Sequence, residues 1–371
     1  MASLPLSKKI KIIPFLRSLK VFPFVFSLFR CSKPTLVDIE LTNRCELRCK
    51  MCWLHGEHGI GDTCSGSELS TEEVFSLVDH LSSFKPRIYL GGAEPLLRED
   101  LFIILEYLKR HGLVVSFTTN GALFDPRKIE MLVALEIDQV TFSIDGNEKL
   151  HNQIRGEGMF KKVTSAIKEL SECRQKGDSN KPVISINFTI TSDLTNHLHE
   201  AIKAVKEATN DGADIYRLHH LWHISHNELS AHQSAIKKNL GCNAEGAASH
   251  WITSSQGIDP RSLANEVSLL KNQSRVTSFP DLPPHEIVNY YSESEGMGGR
   301  CIAPFFRVVI KPNGDVKFCP DEWIDDFVLG NIRHDNFDTI WNNERARRFR
   351  AVLFKEKCFA GCKRCSWLYS C

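Results

Sequence analysis

Residues 36–52 read LVDIELTNRCELRCKMC, and this stretch decides the fold. LVDIEL (36–41) is a short strand, and the loop that follows carries Cys45, Cys49 and Cys52 at C-x3-C-x2-C spacing. Three thiolates do not complete a tetrahedral zinc site, whereas a [4Fe-4S] cluster held by three cysteines keeps one iron free for a chelating ligand. At this level two alternatives stay open: zinc with a distant fourth ligand, and three incidental cysteines.

Beyond this loop, strands recur every few tens of residues: RIYLGG (87–92), VVSFTTN (114–120), QVTFSIDG (139–146), VISINFTIT (183–191) and ADIYRLHHLWHI (213–224). Between them lie amphipathic segments. One opens with a Ser70-x-x-Glu73 capping box and another, GMFKKVTSAIKELSECRQKG, ends at Gly177. Repeated β-α units imply an α/β fold, a partial (β/α)6 TIM-like barrel open on one side, with chemistry at the C-terminal ends of the strands. The distinctive polar residues fall there: Asn43 and Cys45, then GGAEP, Asn120, and Ser143 with Asp145.

Four segments are expected: a basic, apolar arm (1–34), the core (35–225), a polar linker or insert rich in His, Ser and Asn (226–300), and a C-terminal module (301–371). The linker contains helical pieces (Asn227–Leu240, Pro260–Gln273) and a turn-rich FPDLPP. The module opens with a hairpin turning at Pro312-Asn313-Gly314 and continues with a helix over NFDTIWNNERARRFRAVLFKE. Lys plus Arg number 46 against 45 Asp plus Glu, which excludes a bulk field recruiting nucleic acid. Of 13 cysteines, three cluster early and six late (Cys301, Cys319, Cys358, Cys362, Cys365, Cys371), while Cys31, Cys64, Cys173 and Cys242 read as buried free thiols. No secretory signal opens the chain, so metal is a better account than a disulfide framework, and a cytoplasmic location is expected. Pro14 and Pro23 interrupt the arm, which is too short in uncharged run to span a bilayer; it is either a peripheral membrane anchor or an arm packed across the barrel.

The three-cysteine loop, in this order with the other motifs, resembles the radical S-adenosylmethionine (SAM) superfamily over residues 35–225. The resemblance implies that the open iron on Cys45, Cys49 and Cys52 chelates SAM and cleaves it reductively, giving a 5′-deoxyadenosyl radical that abstracts a substrate hydrogen. Gly91-Gly92-Ala93-Glu94-Pro95 looks like the GGEP motif that holds the methionine amine, and Ser143 and Arg155 match positions that contact the SAM ribose and carboxylate. Met51 stands where the family usually has an aromatic residue. Cys301-x12-Gly314-x4-Cys319 followed by Cys358-x3-Cys362-x2-Cys365-x5-Cys371 resembles the SPASM/Twitch extension. That likeness implies one auxiliary [4Fe-4S] cluster on Cys301, Cys319, Cys362 and Cys365, with Cys358 and Cys371 in reserve. A zinc ribbon is the alternative for the same cysteines. Sulfatase-maturing relatives place a basic Asp directly after the equivalent of Cys319; here Pro320 intervenes before Asp321, for which a turn role is equally open. On the sixth strand, His219, Leu221 and His223 are expected on one face and His220 and Trp222 on the other.

The expected function is a radical SAM oxidoreductase or modifying enzyme, reduced by a donor such as flavodoxin or ferredoxin, with the auxiliary cluster as electron acceptor or substrate contact. The substrate is a peptide, a small alcohol or sugar, or a lipid-linked molecule; the roughly 35 residues before the barrel leave no room for a leader-binding domain, which lowers the peptide option. The rival reading is a noncatalytic zinc or iron-sulfur scaffold that binds a partner.

Overall fold

A computed structural model describes residues 29–61, 67–251, 256–292 and 299–369. The readings of the N-terminal arm up to residue 28, of Cys64 and of Cys371 fall outside these residues.

Six strands lie where the sequence puts them: β1 (Leu36–Thr42), β2 (Arg87–Gly92), β3 (Val114–Thr119), β4 (Gln139–Ser143), β5 (Val183–Ile190) and β6 (Ile215–His220). Four more complete the sheet: β7 (Val276–Phe279), β8 (Arg307–Ile310), β9 (Asp315–Lys317) and β10 (Gly330–Asn331). Their order is β10-β9-β8-β1-β2-β3-β4-β5-β6-β7, with parallel pairing from β8 through β1 to β7. In β1, Val37, Ile39 and Leu41 pack into the main core, while Asp38 and Glu40 face the interior cavity. The helices cover the apolar side. Helix Thr71–Ser82 starts at the predicted Ser70/Glu73 capping box and buries Val74, Leu77, Val78 and Leu81, one stripe at helical spacing.

Three features go beyond the sequence reading. The segment treated as a linker supplies a seventh parallel strand, β7, preceded by helix Pro260–Lys271. The C-terminal hairpin does turn at Asn313-Gly314, where Gly314 has φ +88°, but its first strand lies parallel to β1 and so extends the barrel sheet. Ion pairs fasten this junction: Arg307 to Asp38, and Lys311 to Glu40. The single helix read over 336–356 is two, Phe337–Asn342 and Glu344–Glu356. Asn343 breaks it by accepting a hydrogen bond from Ala346 N at 2.9 Å as N-cap while its own amide donates to Leu329 O at 2.7 Å.

Candidate functional site

The loop after β1 folds back on itself: Cys52 N donates to Cys49 O at 3.0 Å, and Leu47 N and His55 N approach the Cys45 and Cys52 sulfurs at 3.4 and 3.3 Å. Leu47, Cys49 and Met51 pack with Ile154 and Leu221 in a small apolar cluster, with Cys45 and Cys52 at its edge. Burial pushes the Cys45 thiol up to about 12 and raises Cys49 as well, the latter opposed by Arg155. One buried and two half-buried thiols with hydrogen-bond donors aimed at their sulfurs match a thiolate-held iron cluster, whose cationic iron would reverse the penalty on ionised Cys45 and Cys49.

The end of β2 presses on the end of β1. Gly92 has φ +97°, and a Cβ there would stand 2.4 Å from Thr42 O, so the strand ends can approach only with glycine at this position. Gly92→Ala is expected to cost about 2–4 kcal/mol, read as a lowered urea midpoint. Glu94 follows, 1% exposed. Its carboxylate accepts from Leu96 N (3.1 Å), Thr119 Oγ1 (2.8 Å) and Asn120 N (2.8 Å), and burial still raises its pKa to about 7. It anchors the ends of β2 and β3, and one lone pair on Oε2 stays open to a further donor. The Asn120 amide then donates to Glu46 at 2.9 Å, tying the β3 end to the cysteine loop.

Arg155 closes the other side. Its Nε donates to Asp145 Oδ2 at 2.6 Å and its Nη1 reaches Cys49 Sγ at 3.6 Å, while Asp145 Oδ1 accepts from Thr189 N at 2.8 Å. Ser143 ends β4 opposite Asn187 of β5. Thus Glu94 and Arg155 meet the cysteine loop directly. Ser143 and Arg155 lie near the strand ends and do not line the cavity that Gly91 and Gly92 border.

At the other end of the chain, Cys301, Cys319, Cys358, Cys362 and Cys365 gather. Burial holds the Cys362 thiol well above its usual value, and the neighbouring thiols of Cys301, Cys319, Cys358 and Cys365 add to the effect. Cys319 is raised in the same way, by burial and then by Cys301 and Cys365. Backbone contact brings the two halves of the motif together, Cys301 N donating to Lys357 O at 2.9 Å. Cys358, kept in reserve by the sequence, belongs to the group. Among the described residues no set of three or more His, Cys, Asp or Glu side chains closes to single-ion distances. The donor chemistry, all sulfur and mutually repelling when ionised, fits an iron-sulfur cluster.

Between the two cysteine groups lies a cavity of about 850 Å³. Met51, Trp53, Gly91 and Gly92 line it on the side of the first group, and Pro320, Asp321 and Trp367 on the side of the second. Polar residues from the strands face inward, including Asp38, Glu40, Thr118, Asn187, Arg217 and His219. Asp321 opens onto this space with φ +51°, and burial, followed by the charge of Glu40, raises its carboxyl to about 7. His219 and Leu221 face the cavity as expected, but Trp222 joins them and His223 does not. The strand ends at His220, so alternation stops there; His223 stacks on Tyr291 with ring centroids 5.8 Å apart.

Sequence reasoning missed Arg217, Phe279, Arg307, His250 and Trp367 as cavity residues. An arginine between apolar residues in RLHHLW was a usable signal for the first. The others reach the cavity through pairings distant in sequence.

Family models match this chain twice: the radical SAM superfamily over residues 39–187, and an iron-sulfur cluster-binding domain, SPASM, over residues 301–366. The chain is similar to Fe-coproporphyrin III synthase of Methanosarcina barkeri, 24% identical over 92% of this chain and 83% of the relative. It is also similar to the AdoMet-dependent heme synthase of the same organism, 27% identical over 91% of this chain and 90% of the relative. In fold it resembles Streptococcus suis SuiB bound to S-adenosylmethionine, with a TM-score of 0.63 at 13% identity, covering 91% of this chain and 76% of that one.

Proposed function

This chain belongs to the radical SAM superfamily and carries a SPASM iron-sulfur cluster-binding domain, and on that premise we propose that it takes a hydrogen atom from a substrate held in the cavity between its two cysteine groups. The observation that carries this reading is a chamber bordered by Met51, Trp53 and the Gly91-Gly92 backbone on one side and by Pro320, Asp321 and Trp367 on the other.

When bound, a reduced [4Fe-4S] cluster would supply the electron for reductive cleavage of the SAM S–C5′ bond, and SAM the carbon radical that takes the hydrogen. Cys45, Cys49 and Cys52 would hold that cluster, with Arg155 donating to Cys49 and braced by Asp145. The Gly91-Gly92 edge, bare of side chains, gives the methionine end of SAM access to backbone, and the open lone pair of Glu94 accepts from its amine. Tyr89, Trp222, Phe279 and Trp367 wall the chamber and exclude water from the substrate. Asp321 is the cavity carboxylate with no ion pair or hydrogen bond from a side chain of the described residues, and its oxygen is positioned to take a proton from the substrate. Cys301, Cys319, Cys362 and Cys365, with Cys358 beside them, would hold an auxiliary [4Fe-4S] cluster, which would supply an acceptor for the electron left on the substrate. Boundaries near residues 225 and 300 separate the core, the segment that carries β7, and this C-terminal module.

Anaerobic reconstitution should give about eight irons per chain and, with dithionite and SAM, 5′-deoxyadenosine by mass spectrometry. Exchanging Cys319 and Cys365 together for alanine should lower the content to about four irons. Zinc in place of iron, or a fully loaded protein that never cleaves SAM, would favour the scaffold reading.

A further inference from the structure

The cavity contains a cation that no described residue neutralises. Arg217 sits in the middle of β6 with its side chain lining the chamber. It makes no hydrogen bond or ion pair with the described residues, and its ring neighbour, Phe279, has its centroid 6.0 Å from the guanidinium carbon. The carboxylates that could have served are engaged elsewhere. Asp38 pairs with Arg307, Glu40 with Lys311, and Glu322 with Lys311 and Lys317 at 2.7 and 2.6 Å. Asp321 has Glu40, Lys311, Arg307 and Asp38 as its charged neighbours, not Arg217. Burial accordingly pulls the Arg217 pKa down, with no acidic side chain to hold it up except the distant phenol of Tyr89.

A second observation points the same way. Arg307 lines the same chamber at 3% exposure, stacked with its guanidinium carbon 4.1 Å over Trp367, and beyond its bond to Asp38 its Nε and Nη1 have no partner among the described residues. Desolvating a guanidinium without an anion is costly, so the unpaired Arg217, with the unfilled Nε and Nη1 of the Asp38-paired Arg307 lining the same cavity, calls for an anionic occupant. A planar guanidinium is matched best by a carboxylate, which accepts two parallel N–H bonds.

We propose that the substrate carries a carboxylate on an apolar body, and that this carboxylate docks on Arg217, with the free edge of Arg307 as a second donor. The proposal rests on the reading of the chamber as the substrate site. Arg217 is then a specificity residue, on a strand interior well below the cysteine loop, and the apolar body lies against Trp222, Phe279 and Trp367.

The test is equilibrium binding to the reconstituted holoenzyme with SAM present, followed by quenching of the cavity tryptophans. The probes are three matched pairs: coproporphyrin III and its tetra-amide, 3-phenylpropanoate and 3-phenylpropanamide, and the blocked dipeptides Ac-Trp-Glu-NH2 and Ac-Trp-Gln-NH2. At least one acid should bind about tenfold or more tighter than its neutral partner. The pair that responds distinguishes a small acid or a tetrapyrrole from a peptide side chain. Arg217→Gln should erase most of the preference for the acid form, and Arg217→Lys should restore part of it. Comparing acid with amide within each variant cancels any general loss of folding. No acid-selective binding in any pair would overturn the proposal, as would a preference that survives Arg217→Gln. A third refuting outcome is Arg217→Gln weakening SAM itself, measured by equilibrium dialysis, with acid selectivity intact; the anion would then be the carboxylate of SAM. Because binding is read without turnover, failure of the radical chemistry shows separately, as absence of 5′-deoxyadenosine.

Discussion

Cys49→Ala is expected to lower 5′-deoxyadenosine formation by at least about 10³-fold while leaving the barrel folded. The activity loss follows from the ligand count. On the proposed ligation three thiolates would fasten three irons, and with one removed the cluster would have two protein ligands and no fixed orientation toward SAM. The fold survives because the sulfur contributes little to it. Cys49 lies in a satellite cluster with Leu47, Met51, Ile154 and Leu221, apart from the main core beneath the sheet, so truncation should cost about 1 kcal/mol. Arg155 loses its Cys49 contact but keeps the 2.6 Å bond to Asp145. Cys173→Ala, on the outer helix Met159–Lys176, is the matched control and should change neither iron content nor turnover. Circular dichroism with product quantitation separates the outcomes: an unfolded Cys49→Ala protein would mean the loop is structural, and full activity would remove Cys49 from the ligand set.

Lys311→Met should reduce folding stability by about 3–5 kcal/mol, the range for removing one partner of a buried ion pair. Lys311 stands between two buried carboxylates, bonded to Glu40 and, at 2.7 Å, to Glu322, and all three side chains are at most 7% exposed. The two acids hold its pKa above the ordinary value against the opposing effect of burial. Without the ammonium, Glu40 is left in the cavity wall with no cation, while Glu322 keeps Lys317 at 2.6 Å. The penalty should therefore concentrate on Glu40. Adding Glu40→Gln to Lys311→Met should recover about half of the loss, measured as urea midpoints at constant m-value. No recovery would mean that the pair works by packing alone. Because this pair ties the segment after β8 to β1, its loss should also loosen the hairpin that bears Cys319.

Much of the site was readable in order along the chain. The strand ends, the three-cysteine loop, the Ser70/Glu73 cap and the Asn313-Gly314 turn each depend on residues within a few positions of one another, and local chemistry fixed them. The split at Asn343 was harder, since an asparagine inside a helical pattern becomes a cap only when its amide finds a carbonyl such as that of Leu329, 14 residues earlier. Likewise β7 is four residues, too short for a periodicity signal, and exists because β6 offers it an edge. The alternation predicted through His223 failed for a similar reason: two tyrosines of helix Pro284–Tyr291 claim that ring once the strand has ended.

The sequence by itself determined the family resemblance, because its motifs need particular residues at particular spacings and those are written contiguously at Cys45–Cys52 and nearly so at Cys358–Cys365. Tertiary structure alone decided what the chemistry can reach. Placing β8 beside β1 brings residues 307 and 38 together, borders a chamber between two cysteine groups some 250 to 320 residues apart, and uses the available carboxylates in a way that leaves Arg217 uncompensated among the described residues. Charge pairing is a matter of distance in space, and a linear pattern does not record it.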